Sequence, residues 1–168
     1  MNRQYLPWLK KSLAHPARMT IAAALAWLAA QGLGLREAYW APIAALIVVQ
    51  SDSSAMLGTS WLLLVGTALG VCAGALLAQD FGPGVIVFAV GVFGLGLFSA
   101  LLRLDRRANH FAVVAFVIVL LAGPAGQAWQ RARHRFIEFS VGIVAALLIS
   151  LLKFEQQASP VHLQDQKH

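Results

Sequence analysis

Six apolar segments separated by short connections constrain this chain more than any other feature. Met19–Leu35, Leu57–Ala78, Gly82–Leu102 and Phe136–Leu152 are long enough to cross a bilayer. A membrane helix needs about 20 apolar residues, with a range of about 17–25. Tyr39–Val49 and Phe111–Ala122 hold only 11 and 12 residues, and cross only if their flanks join them. The expected fold is therefore all-α, a polytopic membrane helix bundle of about six transmembrane helices. Composition agrees: 59% of the 168 residues are hydrophobic and only 12% charged. A soluble domain carries roughly 25% charged residues, so half the charge needed to cover a water-facing surface is missing. An ordinary soluble enzyme is excluded on this ground.

The first segment has the basic start of a secretory signal, but it exceeds the usual core of about 7–15 residues and further spans follow. It reads as a retained helix. Residues 1–18 form a basic cytoplasmic segment, 19–153 the membrane domain, and 154–168 a polar, aperiodic tail read as disordered. The net charge of +6 signals orientation rather than nucleic acid. Lys and Arg concentrate in cytoplasmic loops. With the N-terminus inside, nine of the 13 fall on the inner side: Arg3, Lys10, Lys11, Arg18, Arg103, Arg106, Arg107, Lys153 and Lys167. Arg36, Arg131, Arg133 and Arg135 fall outside, three of them in the connector 127–136. Both termini are expected in the cytoplasm, with that connector as the exception to explain. Cys72 is a lone thiol in an apolar run, and the five histidines have no metal-ligand spacing. No disulfide, metal or cofactor is expected.

The segments run long, short, long, then long, short, long, which points to two inverted three-helix repeats. Gly66 aligns with Gly142, and Tyr39 with His110 after about five extra residues in the second half. That architecture recurs in transporters, where matching short or Gly/Pro-interrupted segments mark a site near the midplane. Here they carry Trp40 and Pro42 at one start, and Gly123-Pro124 at the other end. A plainer reading is that Pro42 starts a helix and Pro124 ends one.

Gly66, Gly70 and Gly74 form a stripe that allows close helix approach, either within the chain or in a homodimer. Gly142 is the corresponding packing position in the last segment, and Gly91, Gly94 and Gly96 suggest tight packing in the fourth. Trp8, Trp40, Trp61 and Trp129 fall where indoles anchor at headgroups. Trp40 is also placed to stack on an aromatic ligand. Arg135, Glu138 and Gly142 share one helix face. The two charges either snorkel to the interface, or face inward, pair, and offer a guanidinium fork for a carboxylate. In the second case Glu138 is a titratable partner and Arg131 and Arg133 an electropositive approach. Gln50 and Asp52 add polar groups at the end of the second segment. No catalytic triad, phosphate loop or carboxylate pair is present, so an enzyme is not expected.

The run Tyr39-Trp40-Ala41-Pro42 through Gln50, then Val65-Gly66-Thr67-Ala68-Leu69-Gly70, then Arg135-Phe136-Ile137-Glu138 leading to Gly142, resembles the fusaric acid resistance (FUSC) and aromatic acid exporter superfamily, which is related to the plant malate channels. The resemblance covers roughly residues 15 to 155. It implies a six-helix domain of the bacterial inner membrane, export of aromatic carboxylic acids or similar organic anions, and a homodimer. Members commonly carry Arg shortly before the Gly-Thr pair, where this chain has Leu62, Leu63 and Leu64. Large members add a second membrane block and a cytosolic domain, so a minimal version is expected. Trp40, Pro42, Gln50, Arg135 and Glu138 are the expected pathway residues. The alternative is a non-transporting membrane subunit, docking a partner protein or anionic lipid through its glycines and arginines.

Overall fold

A computed structural model describes residues 5–51 and 55–157. Within them the chain forms six α-helices and no strand: α1 (Tyr5–Gly32), α2 (Trp40–Val49), α3 (Met56–Phe81), α4 (Val85–Leu101), α5 (Arg106–Leu121) and α6 (Ala128–Gln157), with a 3-10 turn at Ala125–Gln127 before the last. Asp52, the side chain of Trp8, and residues 158–168 of the expected tail lie outside what is described.

All six apolar segments are helical, but their ends differ from the hydropathy limits. Helix α5 begins at Arg106 and α6 at Ala128, because a first turn facing headgroups or a polar cluster tolerates charge. Asp105 starts α5 by accepting the Arg107 N–H at 2.7 Å, an N-cap on otherwise free donors. Helix α6 also continues to Gln157, so Phe154–Gln157 of the expected tail are helical. Helix α2 keeps only 10 residues. At about 1.5 Å per residue it covers half of a hydrocarbon core of about 30 Å, and does not cross alone. Its end is held within the bundle, where Arg18 of α1 donates to the Val49 carbonyl at 3.2 Å.

Helices α3 and α6 cross at the centre. Helix α5 packs along α3 as α2 packs along α6, while α4 lies against α5 and α3 as α1 lies against α2 and α6. Exchanging the first three helices for the last three maps this pattern onto itself. The close approaches agree. A Cβ at Gly66 would strike the Ala108 carbonyl and come within 2.9 Å of the Phe111 Cβ; one at Gly142 would strike the Ala41 carbonyl and come within 2.8 Å of the Ala44 Cβ. These contacts register Ala41 with Ala108, which pairs Tyr39 with Arg106 instead of His110.

The glycine stripe is used inside the chain. Cβ atoms at Gly70 and Gly74 would meet the Ala112 and Phe116 carbonyls. Backbones this close replace side-chain packing with dispersion and weak Cα–H···O contacts. The stripe is therefore closed to a second copy. Gly91 accommodates the Phe116 ring, whereas Gly94 and Gly96 face open space, contrary to the expected tight packing at those two positions.

Helices Met56–Phe81 and Ala128–Leu151 are long and apolar enough to cross a membrane. Around them lies an exposed apolar belt that includes Leu57, Trp61, Phe81, Val85, Ile86, Phe93, Leu97 and Leu101. Of α4 only Gly91, Leu95 and Ser99 are buried. Exposed apolar side chains in such number suit hydrocarbon as a solvent better than water.

Candidate functional site

The site begins with the way α1 stops. Gly34 sits at φ +68°, its N–H reaches Gln31 and the Leu35 N–H reaches Ala30. This is a Schellman ending, in which glycine takes the left-handed position without a Cβ penalty. It turns the chain sharply, so Arg36 and Glu37 hang over the start of α6. The same ending closes α4, where Arg103 holds φ 52° and the Leu104 N–H reaches Ser99.

On α6, Arg135, Glu138, Phe139 and Gly142 share the face turned to α2. Gly142 matters through space: it lets the α2 backbone at Ala41 approach, which lays Trp40 across Arg135. The guanidinium carbon lies 4.3 Å from the Trp40 ring centroid, within cation–π range. Trp40 stacks in turn on Phe139 at 6.1 Å. Arg135 Nη1 donates to Glu138 Oε2 at 3.0 Å, and Nη2 to Glu37 Oε2 at 2.5 Å. Tyr39 donates its hydroxyl to the same Glu37 oxygen at 3.0 Å, and the Trp40 indole N–H does so at 3.2 Å. One carboxylate oxygen therefore accepts from three side chains.

Arg135 is 4% exposed and Glu138 1%, so they pair inward, and the snorkelling reading fails for both. Arg135 Nε and Glu138 Oε1 are buried without a partner. Charges in such surroundings persist only when paired. Partial burial works against the charge of Glu37. The Arg135 and Tyr39 hydrogen bonds, the Arg135 charge and the Trp40 N–H outweigh that, holding the carboxyl below its usual value.

Beside this cluster a cavity of about 160 Å³ is lined by Arg36, Glu37, Gln130, Arg131, His134, Arg135 and Glu138 among others. Arg131 is already committed. It donates to the Val119 carbonyl at 3.2 and 3.3 Å and to the Pro124 carbonyl at 2.7 Å, satisfying acceptors left free at the end of α5. Arg133 is exposed.

Of the expected pathway residues, the structure brings Trp40, Arg135 and Glu138 together. Pro42 lines a shallow apolar groove between α1 and α2 with Met19 and Trp27, and Gln50 is exposed at the far end of α2. Pro124 ends α5, as the plainer reading had it. Sequence reasoning missed Glu37 as a further member. Its signal was available, since it is the only acidic residue before Asp52 and stands three positions from Trp40. Among the described residues no group of His, Cys, Asp and Glu is placed to hold a metal.

An all-helical bundle with an apolar belt and a buried, aromatic-roofed ion cluster at one end is a membrane-type architecture, and the comparisons agree. Residues 25–149 match the model of the "Fusaric acid resistance protein-like" family, and the chain belongs to that family. It is similar to a protein described as "Uncharacterized transporter YdhK" from Escherichia coli K12 and O157:H7, at 27% identity over 88% of this chain and 24% of the relative. The chain thus spans about a quarter of the length of these relatives. No solved structure matches.

Proposed function

We propose that the chain is a multi-pass transporter of the bacterial inner membrane that exports small organic anions, aromatic carboxylic acids in particular. Arg135 carries the reading: a guanidinium buried beneath an indole, with an unpartnered Nε, beside a polar cavity. A permanently charged fork in a low-dielectric setting recognises carboxylates. Glu138 is the titratable partner of the cycle. The family and the relative's name support transport as the activity.

Two inverted three-helix repeats are the architecture we infer, supported by the exchange pattern of helix contacts and the matched glycines. Both termini then lie in the cytoplasm. A homodimer must form through a face other than the glycine stripe. The docking-subunit alternative loses its main support, because the glycine stripe and Arg131 are engaged within the chain.

The test is export. Cells expressing the chain in a host lacking related exporters, loaded with a panel of aromatic acids, are expected to clear at least one faster than cells carrying Arg135→Ala. Arg135→Lys is expected to fail as well, since an ammonium cannot hold two carboxylates in a planar fork. Equal clearance by all three strains across the panel would overturn the proposal.

A further inference from the structure

The convergence on Glu37 has a chemical meaning beyond an ion pair. Its Oε2 takes hydrogen bonds from Arg135 Nη2, the Tyr39 hydroxyl and the Trp40 indole N–H. Three donors, one of them charged, make a carboxylate cradle. The Trp40 ring is stacked on the buried Phe139, which holds its indole donor in place. Yet the carboxylate in it belongs to the turn after α1, and its side chain is 39% exposed, at the mouth of the cavity. Arg135 has a second, independent partner in Glu138, buried on its own helix. Arg135 therefore keeps a carboxyl partner when Glu37 leaves.

We propose that Glu37 is a tethered stand-in for the substrate carboxylate. It occupies the Arg135–Tyr39–Trp40 cradle when no substrate is bound, and an aromatic carboxylate takes its place by displacing it into the aqueous mouth. The inference rests on the anion-transport reading and adds to it the atoms that hold the carboxylate. The site differs from a simple basic pocket in that the chain competes for it. The turn is suited to such release: it is short, joined to α1 through Gly34, and Glu37 has water available where it lies. Glu138, 1% exposed, has no such exit, so it stays on Arg135 while the ligand exchanges. Arg36 and Arg131 line the same cavity and favour an incoming anion without forming the cradle.

Benzoate and benzamide are the probes, titrated by calorimetry into the full chain in phosphatidylcholine nanodiscs. Glu37→Gln removes the competing charge while keeping the side-chain shape. It is expected to bind benzoate about tenfold tighter or more than the parent, the scale of a charge-assisted hydrogen bond. Benzamide, which carries no charge, is expected to gain nothing comparable. Adding Tyr39→Phe to Glu37→Gln is expected to return part of the gain, because a cradle donor is lost. Glu37→Asp, which withdraws the carboxylate by one methylene, serves where the Gln variant does not fold, and shifts in the same direction.

Unchanged or weaker benzoate binding in the Glu37 variants would overturn the proposal and leave Glu37 as a strut for Arg135. Equal tightening of benzoate and benzamide would overturn it too, by showing a loosened mouth. Indifference to Tyr39→Phe in the Glu37→Gln background would remove the cradle as the binding element. If neither the parent nor the variants bind benzoate, the anion-site reading itself falls and this inference falls with it.

Discussion

At the scale of single residues, the site is a chain of dependences, each with its own measurable consequence. Trp40 roofs Arg135 and donates to Glu37. Trp40→Leu is therefore expected to lower stability by about 1–2 kcal/mol, the range for a partly desolvated cation–π contact, read by thermal unfolding in detergent. Glu37 gives a pH signature. Its carboxyl is held below its usual value, so it contributes stability above the unfolded-state pKa, and this is lost as pH falls through the folded value. The parent is expected to lose more melting temperature between about pH 5 and pH 3 than Glu37→Gln does. The difference is modest, because exposure and salt screen the pair; an equal slope for both proteins would refute it. Trp40, Arg135 and Glu138 were legible in the sequence because spacing on one helix and proximity to an interrupted segment are local signals. Glu37 was not: its partner lies 98 positions away, and only the Schellman turn after α1 brings the two together. Gln50 lies apart from the cluster for the complementary reason. Closeness along α2 puts it a full helix length from Trp40.

At the scale of elements, the glycines decide which helices touch. The stripe was visible as a spacing, but spacing alone left its partner open, and the partner is α5, through the carbonyls of Ala108, Ala112 and Phe116. Gly70→Ala puts a methyl onto a carbonyl that backbone rigidity holds in place. The expected cost is about 1–3 kcal/mol, as for overpacking in a close-packed interior. Gly94→Ala, which meets nothing within 4 Å, is expected to be neutral, and unfolding of the two variants in the same detergent compares them directly. The two Schellman endings differ in a testable way. Gly34 suits its positive φ, while Arg103 adopts φ 52° against the steric preference of its Cβ. Arg103→Gly is expected to stabilise the chain by about 0.5–1 kcal/mol, since Arg103 is exposed and makes no buried contact. Helix existence was readable from apolar length. The starts of α5 and α6 were not, because hydropathy discards the charged first turns that the caps and the ion cluster require.

At the scale of the whole molecule, the question is whether the halves face opposite ways. The order of the segments points to this arrangement; the basic residues place both termini inside, with the connector 127–136 as the exception. Two of its three arginines now have structural reasons to be there: Arg131 closes the end of α5 and Arg135 sits in the buried cluster. An exception with such uses no longer argues against the topology. The inverted arrangement makes a sharp demand on two matched turns. Arg36 follows the Schellman ending of α1, and Arg103 lies in that of α4. If each half crosses three times, these equivalent positions lie on opposite sides of the membrane. With Cys72 replaced by Ser, single cysteines at the two positions can be probed with a membrane-impermeant maleimide. Arg36→Cys is expected to label in intact spheroplasts, and Arg103→Cys only after permeabilisation. The parent thiol supplies an internal control, since Cys72 is exposed within the apolar α3 and is expected to face lipid, unreactive from either side. Labelling of both positions from the same side would mean that α2, short as it is, does not complete a crossing with its neighbours. That result would end the inverted-repeat reading while leaving the Arg135 cluster intact.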